Sequence, residues 1–393
     1  MKILFVQPSM QPPGGGNGVA AWMVQGLKDA HDVTLFTWVA LDLERINRFW
    51  GTSLKPGDVR TLRVPAPVRW LVDTPPLSLS LLRTAIMLRT AKRLGGEYDL
   101  AVTANNEADF GTPGVQYVHY PWNSFPRPDV DIHWYHLAPL LKLYYRLCEA
   151  LSGFSTAAVH RNLTLVNSDW TGRLCQKRYG LSTRTVYPPV TAQFPAVPWA
   201  ARAPGFVCIG RIAPEKRLER VIEIVAGVRA QVPGVHLHVV GTPDHRKYAR
   251  DIAARARAAG FTMHENLSRP QLVELIARQR YGIHGMLEEH FGMAPAELML
   301  GGCIVWVPNG GGQVEIVADR RLVYDSVDDA VAKIVRVIRD PAEQDALRAH
   351  LAARRERFSA ERFMREIRAA VDDHAAQSRA ASPAAGRGAG AAR

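Results

Sequence analysis

At 393 residues, with 47% hydrophobic and 22% charged side chains, the chain is long enough to bury two cores at about 100 to 200 residues per domain. Its formal charge of +12 suits an anionic partner such as nucleic acid, a membrane surface or a phosphorylated substrate, although an Ala, Gly and Arg-rich tail carries Arg379, Arg387 and Arg393 of that excess. Four separated cysteines without a CxxC pair exclude a zinc knuckle, a redox motif and a secreted disulfide scaffold, and no run reaches the roughly 20 apolar residues of a spanning helix.

The start, MKILFVQPS, is broken by Pro and Gly too early for a signal peptide, so a cytoplasmic protein is expected. Lys2 to Pro8 is a nearly continuous apolar run, the pattern of a parallel strand buried on both faces. A Pro and Gly loop ending GGGNG follows, then a helix over Val19 to Lys28 and a second strand over Val33 to Trp38, which makes a βαβ unit. Leu100 to Thr103, Gln116 to Val118 and Leu163 to Asn167 continue the strands at helix-length intervals, as a doubly wound sheet requires. Tyr187 to Gly205, with five prolines and no periodicity, reads as the interdomain linker.

A second alternation follows. Phe206 to Gly210 reads as a strand, and a helix from about Lys216 carries the stripe Leu218, Val221, Ile222, Val225 and Val228. Strands are expected over Val235 to Gly241, Tyr281 to Leu287 and Cys303 to Val307, with helices over Gln271 to Arg280 and over Ala294 to Leu300, the latter closed by Gly301. Ser326 with Asp329 suits a helix cap, and a charged helix around Arg355 to Asp373 precedes the tail. The fold class is therefore α/β, as two tandem doubly wound domains.

Four motifs carry chemistry. Gly14 to Gly18 lets backbone amides approach a phosphate or sugar at a helix start. A ligand-free turn and a dinucleotide site are the alternatives there, the second weak because no acidic residue ends the second strand. Arg211 and Lys216, in GRIAPEKR, put two cations where a strand ends and a helix begins, a cradle for a diphosphate; an exposed basic cap is the plainer reading. Glu289 and Glu297 flank the amides from Gly292 onward, acceptors for hydroxyls beside donors for phosphate. A metal cluster from His284, Glu289 and His290 matches no common ligand spacing. His119, in YVHYPW, ends a strand beside aromatic rings, as either a structural or an active-site imidazole.

GRIAPEKR, EEHFGMAPAELMLGG and NGGGQVEIV together resemble the retaining nucleotide-sugar glycosyltransferases of family 4, which have the GT-B fold, over about residues 1–370. QYVHYPWNSF, LLKLYYRLCEALSGF, VNSDW and VYPP are similar to the eukaryotic branch acting as α-1,2-mannosyltransferases on dolichol-linked oligosaccharides. The resemblance implies an acceptor-side Rossmann-like domain over 1–190, a linker over 191–204 and a nucleotide-sugar-binding domain over 205–355. A helix over 356–375 would return to the first domain across the cleft, with a disordered tail over 376–393. It implies Arg211 and Lys216 as diphosphate ligands, Glu297 on the ribose and Glu289 on the donor sugar. The amides of Phe291, Gly292 and Met293 would bind oxygens, Leu267 would lie by the base, Gly15 and Gly16 would close on the diphosphate, and His119 would stand near the sugar.

The function so implied is transfer of a hexose, mannose from GDP-mannose, to a glycan or lipid-linked glycan acceptor, with no metal or other cofactor. A UDP-sugar donor, or an epimerase or hydrolase on the same fold, is the alternative. Nucleic acid is not an expected partner, because no basic patch is interleaved with aromatics. Residues 136–154 mix apolar and aromatic side chains with Lys142 and Arg146, and read either as a buried helix or as a peripheral contact with the inner face of a membrane.

Overall fold

A computed structural model describes residues 1–74, 79–121 and 138–381. The first domain is a parallel sheet of β1 (Lys2–Val6), β2 (Asp32–Thr37), β3 (Arg60–Arg63), β4 (Leu100–Thr103), β5 (Val115–Val118), β6 (Leu163–Val166) and β7 (Thr183–Thr185), in the order β3-β2-β1-β4-β5-β6-β7. The second holds β8 (Ala203–Ile209), β9 (His236–Gly241), β10 (Thr262–Glu265), β11 (Gln279–Ile283), β12 (Ile304–Pro308) and β13 (Val323–Tyr324), in the order β10-β9-β8-β11-β12-β13. Strand order reverses between β1 and β4 in one sheet and between β8 and β11 in the other. Such reversals leave a crevice at the carboxyl ends of the strands.

Alternation along β1 explains the layering. Ile3 and Phe5 face the helix Gly15–Leu27 and the C-terminal helix Ala360–Ala381, whereas Leu4 and Val6 face Phe36, Trp38, Met87 and Leu88 on the other side. A strand is apolar where it is buried on both faces, as this one is from Ile3 to Val6. In the second domain β8 and β11 lie centrally, with Phe206, Tyr281 and Trp306 sharing one core. All four cysteines are free and buried.

Several boundaries differ from the sequence expectation. The first helix begins at Gly15 rather than Val19, so Gly15, Gly16 and Gly18 fall in its first turn; a side chain at Gly18 would strike Trp50. β3, β7 and β10 are sheet edges with no apolar run to mark them: all four residues of β3 are exposed. β8 begins at Ala203, so the linker ends at Arg202; the first two residues of that strand are exposed and one is Pro204, which hid it. The last helix continues to Ala381, past the expected start of the tail at 376, and residues 382–393 lie outside the described residues.

That helix completes the first domain's core. Phe363, Ile367, Ala370 and Val371 are buried there, Met364 packs on Gly26, and Arg368 donates to the Gly26 carbonyl at 2.8 Å. Phe363→Ala should cost about 3–5 kcal/mol by the usual cost of a deleted core aromatic, read as a lowered urea midpoint. An unchanged midpoint would show the helix to be dispensable.

Candidate functional site

On the first-domain wall, the chain leaving β1 turns at Gly14, whose φ of 124° favours glycine, and enters its helix at Gly15. The leading amides of a helix have no intrahelical acceptor. Asn17 stitches the preceding loop by donating to the Gln11 carbonyl at 2.7 Å. A Cβ on Gly16 would stand 3.1 Å from Nε2 of His119, and one on Gly15 would stand 3.7 Å from Met293 of the other domain. The two glycines thus let an imidazole and a side chain from across the cleft approach the helix start.

His119 follows β5. Its backbone amide donates to Asn106 at 2.8 Å, and its Nε2 lies 3.0 Å from the Ala104 carbonyl, which requires the Nε2–H tautomer. Desolvation pushes this imidazole down to about 4, so it is neutral at pH 7.

On the second-domain wall, β8 ends at Ile209 and leads through Gly210 and a turn at Pro214–Lys216 into the helix Leu218–Gln231. Lys216 reaches back so that its Nζ lies 2.7 Å from Oε2 of Glu289 and 3.2 Å from the sulfur of Met286. The same carboxylate oxygen lies 3.1 Å from Nε2 of His284, directly after β11. Burial would raise the Glu289 carboxyl, but the hydrogen bond from His284 and the Lys216 charge outweigh it and hold the group well below the carboxylate range. His284 itself is pushed down by burial, against the opposing pull of Glu289.

The Glu289 loop has its own support. Gly312 donates to the Glu289 carbonyl at 2.7 Å, Gln313 donates to the Met286 carbonyl at 2.7 Å, and a Cβ on Gly311 would collide with the Glu289 backbone. This accounts for the NGGGQ run. Gly292, at φ 112°, then caps the helix Met293–Leu300; a Cβ there would meet Ile316 at 2.9 Å. Phe291 is buried between Tyr187 and Phe358. Glu297, on that helix, is ion-paired with Arg269, two residues beyond Leu267.

The structure therefore brings Gly15, Gly16, His119 and Met293 together across the cleft, and joins Lys216 to Glu289. It holds Arg211 apart: that side chain is exposed and paired with Glu215 at 2.7 Å and with Asp244. The sequence reading gave no role to Arg269, Trp22, Arg45 or Trp50, which line a cavity of about 510 Å³ with Glu297 and Gly15. It weighed His284 only as a metal ligand, and missed its hydrogen bond to Glu289. The domains also touch directly. Ser168 donates to the His290 carbonyl at 2.6 Å, Tyr120 stacks on His290 at 4.2 Å, and Glu315 accepts from the amides of Asp169 and Trp170.

The imidazoles set a pH dependence. Because His119 is held neutral in the fold, the unfolded chain binds more protons below its ordinary value of 6.5, and stability falls as pH drops from there to about 4. Glu289, depressed in the fold, contributes stability that is full above its ordinary value of 4.5 and is lost as pH falls from there. Urea denaturation should show the unfolding free energy declining over pH 6.5 to about 4, less steeply in His119→Asn. Equal slopes for the two proteins would contradict a buried neutral imidazole.

Residues 191–355 match the family described as glycosyl transferases group 1. The GDP-Man:Man(3)GlcNAc(2)-PP-Dol alpha-1,2-mannosyltransferase of Dictyostelium discoideum is 26% identical over 241 residues, covering 52% of this chain and 47% of that protein. The Homo sapiens protein of that name is 25% identical over 253 residues, covering 58% and 51%. The chain spans about half the length of these curated relatives. Among solved structures, Anabaena Alr3699/HepE in complex with UDP and glucose aligns with a TM-score of 0.64 at 17% identity, covering 95% of this chain and 100% of that one. Sucrose-phosphate synthase from Thermosynechococcus elongatus aligns at 0.65 and 17%, covering 97% and 100%. Two Rossmann-like domains in a GT-B arrangement are common ground with these structures, and residues 191–355 are similar to the glycosyl transferases of group 1.

Proposed function

We propose that the chain is a retaining glycosyltransferase that moves a hexose, mannose from GDP-mannose, to a glycan or lipid-linked glycan acceptor. The observation that carries this reading is the Lys216–Glu289–His284 cluster after β8 and β11, with the first turn at Gly15 and Gly16 and the His119 imidazole on the facing domain. Mannose and GDP rest on the names of the sequence relatives; the solved complex with UDP supports a UDP-sugar as the second reading.

Breaking the anomeric C–O bond leaves negative charge on the nucleoside diphosphate. Lys216 would take up that charge, with the amides of Phe291, Gly292 and Met293 and the helix start at Gly15 adding preorganised dipoles. Arg211 would exchange Asp244 for phosphate. The acceptor oxygen bonds the anomeric carbon from the face the phosphate leaves, and its proton passes to the departing phosphate oxygen. Glu289, held ionised, accepts from donor-sugar hydroxyls and need not attack carbon. His119 spends Nε2–H on Ala104, which leaves Nδ1 as an acceptor for a sugar hydroxyl. Glu297 would give up Arg269 to the ribose, with Leu267 beside the base. No divalent ion takes part in this scheme, and chelation should leave turnover intact.

Lys216→Ala and Arg211→Ala should each lower turnover at least about tenfold, equivalent to ~1.4 kcal/mol of lost transition-state stabilisation. Normal rates in both would overturn the assignment. In thermal melts with GDP-, UDP- and ADP-sugars, GDP-mannose should raise the midpoint most; stabilisation by UDP-sugars alone would replace the donor and leave the transferase reading standing.

A further inference from the structure

The cleft lies at the carboxyl ends of the second domain's strands, and a separate cavity of about 130 Å³ lies at their amino ends. Arg202 stands just before β8, and Gly302 and Cys303 just before β12. They line this cavity with Trp199, with Arg348 from the helix Pro341–Arg354, and with Arg355. Three of these side chains are arginines, and none of the described lining residues is acidic. Arg202 is fixed by donating to the carbonyls of Val197, Gln279 and Gly301 at 3.1, 3.3 and 2.8 Å. Those bonds use Nε and Nη1. Its Nη2 has no acceptor among the described residues and lies beside Gly302, where a Cβ would stand 2.9 Å away; glycine, at φ 85°, keeps that edge clear.

The other two arginines are also held in place or free to turn inward. The Arg348 guanidinium stacks 4.6 Å from the centre of the Trp199 ring and pairs with Asp345 at 2.9 Å, on the solvent side. Arg355 is exposed and forms no ion pair among the described residues. Burial pushes the Arg202 guanidinium down, and the Arg348 and Arg355 charges push the same way. An oxyanion would relieve that repulsion, and the planar guanidinium fork matches phosphate oxygens two at a time. The cavity has the volume of about four liquid waters at roughly 30 Å³ each, room for a phosphate group and not for a nucleotide. Its position adds a role. Arg202 ends the first segment joining the domains and Arg355 begins the turn into the second, and the two segments already meet where the Val190 amide donates to the Phe358 carbonyl at 2.9 Å.

We propose that the cavity between Arg202, Arg348 and Arg355 is a binding site for a phosphate oxyanion, either the free ion or the phosphate of a small ester, which ties together the two segments joining the domains. The site shares no residue with the donor cleft and rests on no step of sugar transfer.

The test is calorimetric titration of the full chain, without donor or acceptor, with inorganic phosphate and with glucose 6-phosphate, sodium chloride holding the ionic strength constant. The wild-type chain should bind at least one of them; binding of the ester alone would assign the site to phosphorylated metabolites, and binding of phosphate alone to the free ion. Arg348→Gln/Arg355→Gln should weaken binding at least about tenfold, the weight of one charge-assisted hydrogen bond. Lys216→Ala, which removes a cation of the cleft, should bind as the wild type does. The thermal midpoint of the double arginine variant without ligand checks that it folds, and a readout on the wild type needs no variant at all. In hydrogen exchange, the bound anion should slow residues 197–203 and Arg355–Phe358. Equal binding by the arginine variant, loss of binding in Lys216→Ala, protection confined to the cleft, or no binding of either anion overturns the inference. None of these outcomes bears on transferase activity, which is measured separately.

Discussion

A parallel sheet covered by helices on both faces has only its strand ends left for chemistry, and the rest of this molecule follows from that constraint. β1 from Ile3 to Val6 and β8 from Phe206 to Ile209 are apolar because each is buried on both sides there. Polar residues collect where these strands and their neighbours stop: Gly14 to Asn17 after β1, His119 after β5, Gly210 to Lys216 after β8 and His284 to Glu289 after β11. Two such edges face one another, so groups far apart in sequence line a single cleft.

Within the cleft, electrostatics and backbone shape are coupled. Lys216 and His284 keep Glu289 ionised despite its burial, and the Glu289 loop keeps its place because Gly311 and Gly312 allow a second loop to press against it. A side chain at Gly311 would push on the carboxylate's own backbone, so the acid and the glycines function as one unit. The Arg269–Glu297 and Arg211–Asp244 pairs are different in kind: each cation is more than half exposed, where an ion pair is worth little and a ligand can displace it.

What the sequence made legible, and what it did not, follows from the same physics. Apolar runs placed β1, β2, β4, β5, β6, β8, β9, β11 and β12 within a few residues, because central strands are buried whole. The edge strands β3, β7 and β10 lack that signal, and residues such as Arg60 and Thr183 look like loop. Glycine's poor helix propensity put the expected start of the first helix too late; Gly16 and Gly18 are helical and leave room for His119 and Trp50 against that turn. At the site, Lys216 and Glu289 stood out through their positions at strand ends. Arg269 and His284 did not, since their roles arise from contacts made only in three dimensions. Arg211 carries the same motif as Lys216 yet points elsewhere, which spacing alone could not reveal.

The return of helix Ala360–Ala381 to the first domain has a consequence for motion and assembly. The polypeptide crosses between the domains twice, once before β8 and once after the turn at Arg355–Phe358. Two crossings define an axis, so any swing of one domain against the other would turn about the line through them, with twisting and sliding restrained. The first domain also waits for the last part of the chain. Phe363, Ile367 and Val371 belong to its core, so during synthesis it stays unfinished until the second domain has emerged, and the two halves mature together.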